Sequence, residues 1–116
     1  MRYLFLGYAD ETAERELSPE ETARVVGLHE AFGAEMRAEG RLVAGVGLED
    51  STSTIVVRRS ADGTGDLVTD GPFAETAEQI GGLFILECAD REEAVALAKR
   101  IPYSPGLTVE VRPAPL

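Results

Sequence analysis

Asp70-Gly71-Pro72-Phe73-Ala74-Glu75-Thr76, followed by Gly81-Gly82 and the apolar run Leu83-Phe84-Ile85-Leu86, decides how the rest of the chain is read. An Asp before a Gly sets a tight turn through its side-chain oxygen, and a residue before proline is pushed towards extended backbone. The spacing predicts a fixed, extended corner at Gly71-Pro72, with Phe73 packed inward as its anchor. Gly81 and Gly82 mark either a bulge at a strand start or a close backbone approach to a ligand. They lack the strand-then-helix setting that a phosphate loop needs. Residues 82–88 form the most apolar strand, for which a central place in a sheet is expected. Cys88 shares the parity of Phe84 and Leu86 there and reads as a small buried hydrophobe rather than a nucleophile.

Working back from this stretch, residues 54–59 are a β-branched strand, 60–65 are turn chemistry, and 66–69 return as its hairpin partner. Residues 41–47 hold a short glycine-containing strand. Ser18-Pro19-Glu20-Glu21 has the form of a capping box with proline at the first helical position, so a helix is expected to about Glu39, stopped by Gly40. Asp10 to Leu17 reads as a charged loop. Residues 2–9 are a strand with Leu4, Leu6 and Tyr8 on one face and Tyr3 and Phe5 on the other, a pattern of sheets covered on both sides. Working forward, Asp90 caps a second helix that ends before Pro102, and Leu107, Val109 and Val111 alternate with Thr108, Glu110 and Arg112 in a last strand with one wet face.

The order β-α-β-β-β-β-α-β is the split-βαβ, ferredoxin-like pattern with a hairpin inserted. The fold class is therefore α+β: an antiparallel sheet with two helices on one face, in one domain over residues 1–116. Apolar residues of the face away from the helices, taken as Tyr3, Phe5, Leu83 and Ile85, need a second cover. A twofold copy packed sheet to sheet supplies one.

The net charge of -10, with Lys99 as the single lysine and scattered arginines, argues against direct binding of nucleic acid or an anionic membrane. No apolar run approaches the roughly 20 residues that span a bilayer. The chain opens directly into a strand pattern, so no signal peptide is expected. A single cysteine excludes an internal disulfide and fits a cytoplasmic protein. One histidine and one cysteine far apart in sequence make a zinc site unexpected, and no cofactor is implied.

His29, the only histidine, falls inside the helical stripe Val25, Leu28, Phe32 and Met36, so it should face the sheet. Two readings follow: a neutral core histidine bonded to a backbone carbonyl, or a functional group. A carboxylate on one imidazole nitrogen would fix the tautomer and raise the basicity of the other. Asp70 is the first candidate for that carboxylate and Asp10 the second. Tyr8, Asp10, Phe73, Gly81 and Gly82 are the candidate pocket residues.

The Asp70–Thr76 block with Gly81-Gly82, the opening strand Tyr3–Tyr8, the helix start Leu17-Ser18-Pro19-Glu20-Glu21 and the ending Val109-Glu110-Val111-Arg112-Pro113 resemble the DGPF-domain branch of the YCII-related family. These are small proteins of the dimeric α+β barrel type, so the resemblance implies a homodimer. It also implies a His-Asp pair whose histidine lies eleven residues before the glycine that ends the first helix, the relation in which His29 and Gly40 stand. The activity implied is that of a cofactor-independent enzyme on a small organic molecule, with His29 moving a proton and Asp70 orienting it. One branch of the family includes a dehydrochlorinase of chlorinated hydroquinones, which brings lyase-type elimination within the family's range. This chain matches the other branch, and that activity is not carried over. The alternative is a non-catalytic ligand-binding or regulatory module. DGPF proteins occur fused to, or encoded beside, extracytoplasmic-function sigma factors, and the charge would require such a role to run through protein contacts.

Overall fold

Strand β1 (Arg2–Asp10) is hydrogen-bonded on both sides and runs through the middle of the sheet in the computed structural model, which describes residues 1–115. The chain continues through α1 (Glu11–Arg15), α2 (Pro19–Ala38), β2 (Leu42–Gly47), the hairpin β3 (Ile55–Arg58) and β4 (Leu67–Asp70), β5 (Glu78–Glu87), α3 (Arg91–Ala98) and β6 (Thr108–Pro113). The main sheet has the order β2-β5-β1-β6 with every pairing antiparallel, while β3 and β4 pair only with each other. This is the ferredoxin-like α+β arrangement, and β5 is indeed an interior strand. The molecule measures 47 × 39 × 19 Å, its thin dimension being one sheet and one helix layer. No helix among the described residues is long and apolar enough to cross a membrane.

Local chemistry delimits α2 at both ends. Ser18 Oγ accepts from the Glu21 N–H and the Glu21 carboxylate accepts from the Ser18 N–H, closing the capping box. Such a cap stabilises a helix by about 1 kcal/mol. At the other end Gly40 adopts φ 75°, and the N–H groups of Gly40 and Arg41 donate to the carbonyls of Arg37 and Met36. That is the double bond pattern of a Schellman stop. Arg41 then donates to Glu39, Glu93 and the Glu87 carbonyl, tying the end of α2 to the start of α3.

The core lies between the sheet and the two long helices. Phe32 and Met36 from α2, Ala94 and Leu97 from α3, and Tyr3, Phe5, Leu86 and Cys88 from the strands make one buried cluster. The Phe32 ring meets the Phe84 ring edge-on at 5.2 Å. The expected assignment of faces is corrected here. Tyr3 and Phe5 do not share a face with Leu83 and Ile85: the β1–β5 register pairs odd with even positions, Tyr3 with Leu86 and Phe5 with Phe84. Directly opposed residues point the same way, so Tyr3, Phe5 (1% exposed), Phe84 and Leu86 lie under the helices. Leu4, Leu6, Leu83 and Ile85 occupy the face without helices.

Other boundaries moved as well. The charged loop after β1 contains the five-residue α1, and β5 begins four residues earlier than expected, at Glu78. Phe73 does not anchor the corner inward. It is 77% exposed, with the Arg58 guanidinium 5.6 Å above its ring. Gly71 adopts φ 98°, a left-handed turn rather than an extended corner. Leu28 is 41% exposed, so the inward stripe of α2 runs through Val25, His29, Phe32 and Met36 instead.

Two glycines of β2 on the helix-facing side should respond oppositely to a methyl group. A Cβ on Gly45 would stand 2.9 Å from both Cδ1 and Cε1 of Phe84, whereas one on Gly47 would meet nothing within 4 Å. Gly45→Ala should destabilise by about 1–3 kcal/mol, as overpacking does. Gly47→Ala should be neutral or stabilise by about 0.4–1 kcal/mol by restricting the unfolded chain. Urea denaturation midpoints of the two variants check this.

Candidate functional site: a cleft over a row of glycines

Gly47 of β2 is paired with Gly82 of β5, and Gly82 with Gly7 of β1. Three adjacent strands therefore lack a side chain at the same level of the helix-facing side. In the next row towards Leu86 the sheet carries Gly45, Phe84 and Phe5, and here the C-terminal half of α2 is seated through Phe32 and Met36. At about 1.5 Å per residue α2 is some 30 Å long. Its N-terminal half consequently stands over the glycine row, where the Leu107 side chain reaches over Gly7 and a gap is left. The result is a cleft of about 570 Å³, walled by Val25, Val26 and His29 of α2 and by Leu48, Leu107 and Ser104 from the loops.

His29 sits half-buried on the α2 wall. Burial pushes its imidazole below the usual range, because a charged ring is poorly solvated there. It is thus neutral at neutral pH, with one nitrogen donating and the other accepting. Among the described residues no carboxylate forms an ion pair or hydrogen bond with it. Of the other residues expected at the site, Gly81 and Gly82 line the cleft, and Gly81 is the extra residue of a bulge where the β1–β5 register slips. Its carbonyl accepts from the Leu48 N–H.

Asp70, Asp10, Tyr8 and Phe73 lie elsewhere. Asp70 ends β4 on the separate hairpin, opposite Ile55, and is exposed. Asp10 caps α1, its Oδ1 accepting from the Ala13 N–H at 3.2 Å. Tyr8 points to the face away from the helices and donates to Glu110 at 3.1 Å. The fold therefore brings His29, Gly81 and Gly82 together and leaves the two aspartates apart from them.

Several polar groups of the cleft escaped the reading of the sequence, Glu30 of α2 among them. Ser104 is buried at 5% exposure in the loop before β6. Arg37 lines the cleft further along α2. Glu14, on α1, lines both the cleft and an adjoining groove of about 240 Å³ that also contains Glu11, Arg15 and Asp50. Burial, and then the neighbouring Glu11, Asp50 and Asp10, push the Glu14 carboxyl above its usual range. Arg15 holds Asp50 down at about 2. The signal that was available for the cleft is Gly7, a glycine at a helix-facing position of an otherwise apolar strand. No group of three or more His, Cys, Asp or Glu side chains among the described residues is arranged to hold a metal ion.

The family model of the YCII-related domain matches residues 1–114 of the chain. The uncharacterized protein R00369 of Rhizobium meliloti (strain 1021) is 36% identical over 118 residues, spanning 100% of this chain and 94% of that protein.

The lone imidazole makes the site directly measurable. By NMR titration His29 should have a pKa below the reference value of about 6.5, and Asp70→Asn should leave it unmoved. Because the folded value is the lower one, the stability tied to His29 is complete above the unfolded value and lost as pH falls through it towards the folded one. His29→Gln should therefore lose less stability than the wild type when pH drops from about 7 to about 5, a window set by the unfolded reference value. Urea midpoints at the two pH values read the difference.

Proposed function

The chain belongs to the YCII-related domain family, and from that premise we propose that it binds a small organic molecule over the glycine row and moves a proton to or from it with His29, without a cofactor. The observation that carries this reading is a neutral imidazole on the wall of a largely apolar cleft whose floor is emptied by three glycines. A neutral histidine is ready to accept a proton from an acidic C–H or O–H group and to return it to the product. Among the described residues nothing joins Asp70 to His29, so this reading assigns His29 no aspartate partner.

A homodimer in the cytoplasm is part of the same reading. Leu4, Leu6, Leu83 and Ile85 form an apolar patch on the two central strands of the uncovered sheet face. Packing that face against its own copy would bury the patch of both chains. The wild type should be a dimer by light scattering at micromolar concentration, and Leu6→Asp should be a folded monomer. A monomeric wild type would contradict the dimer.

A second reading, that of a regulatory module working through protein contacts, is favoured by the hairpin. Ile55, Val57, Leu67 and Val68 on it, and Phe73 just beyond it, are all largely exposed. A two-stranded hairpin is marginal in water on its own. The two readings part in a ligand-screening experiment with a metabolite mixture and NMR detection on labelled protein. Catalytic or ligand-binding use of the cleft predicts compounds that shift the His29 resonance in the wild type but not in Gly47→Leu, whose side chain would fill the floor. Compounds or protein partners that shift only hairpin resonances, equally in both proteins, would favour the contact module.

A further inference from the structure

Glu14 is held at its end of the cleft by a rigid local arrangement. Helix α1 is capped by Asp10, and the Glu11 carboxylate accepts from both the N–H and the hydroxyl of Ser51, fastening α1 to the segment after β2. Among the described residues the one base of the adjoining groove is Arg15, and it is committed: its Nη2 and Nε donate to the two oxygens of Asp50 at 2.9 and 3.0 Å, with Glu11 3.6 Å away. Glu49 adds a further acid to the groove. The remaining charged groups of the cleft, Glu30 and Arg37, are on α2, with Arg37 eight residues beyond His29, about 12 Å along the helix. Glu14 itself has no side-chain hydrogen bond or ion pair among the described residues.

Resting on the cleft-binding reading above, we propose that Glu14 sets the charge of the ligand: the cleft takes a molecule with an apolar body, lying over Gly7, Gly47 and Gly82, and a protonated amine paired with Glu14. A carboxylate surrounded by other acids and partly withdrawn from water is stabilised by a proton or a cation and by little else. The upward displacement of the Glu14 carboxyl by burial and its acidic neighbours expresses the same demand. An organic ammonium suits the place better than a hard metal ion, which needs several oxygen ligands. With the amine at Glu14, the glycine floor lets the apolar body of the ligand lie beneath His29.

An isosteric series separates charge from shape: phenethylamine, 2-phenylethanol and phenylacetate, followed by NMR on the imidazole of His29 and the amides of the glycine row. Phenethylamine should bind at least tenfold tighter than phenylacetate, and the preference should disappear in Glu14→Gln while persisting in Glu92→Gln, a change on the exposed face of α3. Phenylacetate binding as tightly as the amine, or a preference that survives Glu14→Gln, overturns the assignment. If all three compounds bind equally and shift His29, the charge rule falls and the cleft stands. If none shifts the wild type, both fall together.

A ligand-free measurement tests Glu14 independently. Its folded pKa is the raised one, so the wild type is penalised as pH rises through that value and not below the unfolded value of about 4.3. Glu14→Gln should be more stable than the wild type at neutral pH, with the gain vanishing in acid. Equal stability at both pH values would remove the electrostatic basis of the proposal.

Discussion

The glycine row Gly47–Gly82–Gly7 is the constraint on which the rest of this structure turns. An α-helix normally rests on the side chains of the sheet beneath it. Here the C-terminal half of α2 rests on the sheet through Phe32 and Met36, with the Phe32 ring against Phe84. Those rings set the height of the helix above the sheet. Where the glycines follow, the same height becomes empty space. Sealing that space would require α2 to bend, and its hydrogen-bonded backbone runs unbroken from Pro19 to Ala38. One set of large side chains thus supports the helix while one set of absent side chains opens the site.

The electrostatics of the molecule separate along the same line. Arginines on the outside are used to join elements: Arg41 to Glu39 and Glu93, Arg100 to Glu35 and Glu39, Arg2 to Glu87. Exposed pairs of this kind each contribute little, about 0–1 kcal/mol; those of Arg41 and Arg100 sit at the ends of α2 and α3, and that of Arg2 joins β1 to β5. Within the cleft the opposite holds. Among the described residues His29 and Glu14 have no compensating partner, and burial pushes both towards their uncharged forms. Displaced titratable groups that share a cavity are what the proposed function draws on.

Much of the fold was legible because it is written in local chemistry. Ser18, Pro19, Glu21 and Gly40 delimit α2, Asp90 caps α3, and the turn residues 60–65 mark the hairpin. Each acts on backbone groups a few positions away, so one sequence suffices. The place of Tyr3 and Phe5 was not legible in the same way. Which face a strand shows depends on its register with β5, a long-range property, and a shift of one residue reverses every side chain. The inward stripe of α2 was misjudged at Leu28 for a related reason: with no row beneath it, the helix is covered on a narrower face than periodicity alone suggests. Phe73 looked like an anchor because it is large and apolar, yet its hairpin has no second layer to receive it. At the site His29 stood out as the only histidine, but Glu14 was hidden in the charged segment Asp10–Leu17, whose short helix is fixed by a distant contact, Glu11 to Ser51. The floor of the cleft was hidden most fully, since its three glycines come from three separate segments and only the pairing of strands assembles them.

A crystal structure of the protein tests the central claim most directly. The account predicts open space between the N-terminal half of α2 and the sheet, with Gly7, Gly47 and Gly82 as its floor and the His29 imidazole on its wall. An α2 settled onto the glycines, with Val25 and His29 packed into the space and no cleft left between them, would contradict it.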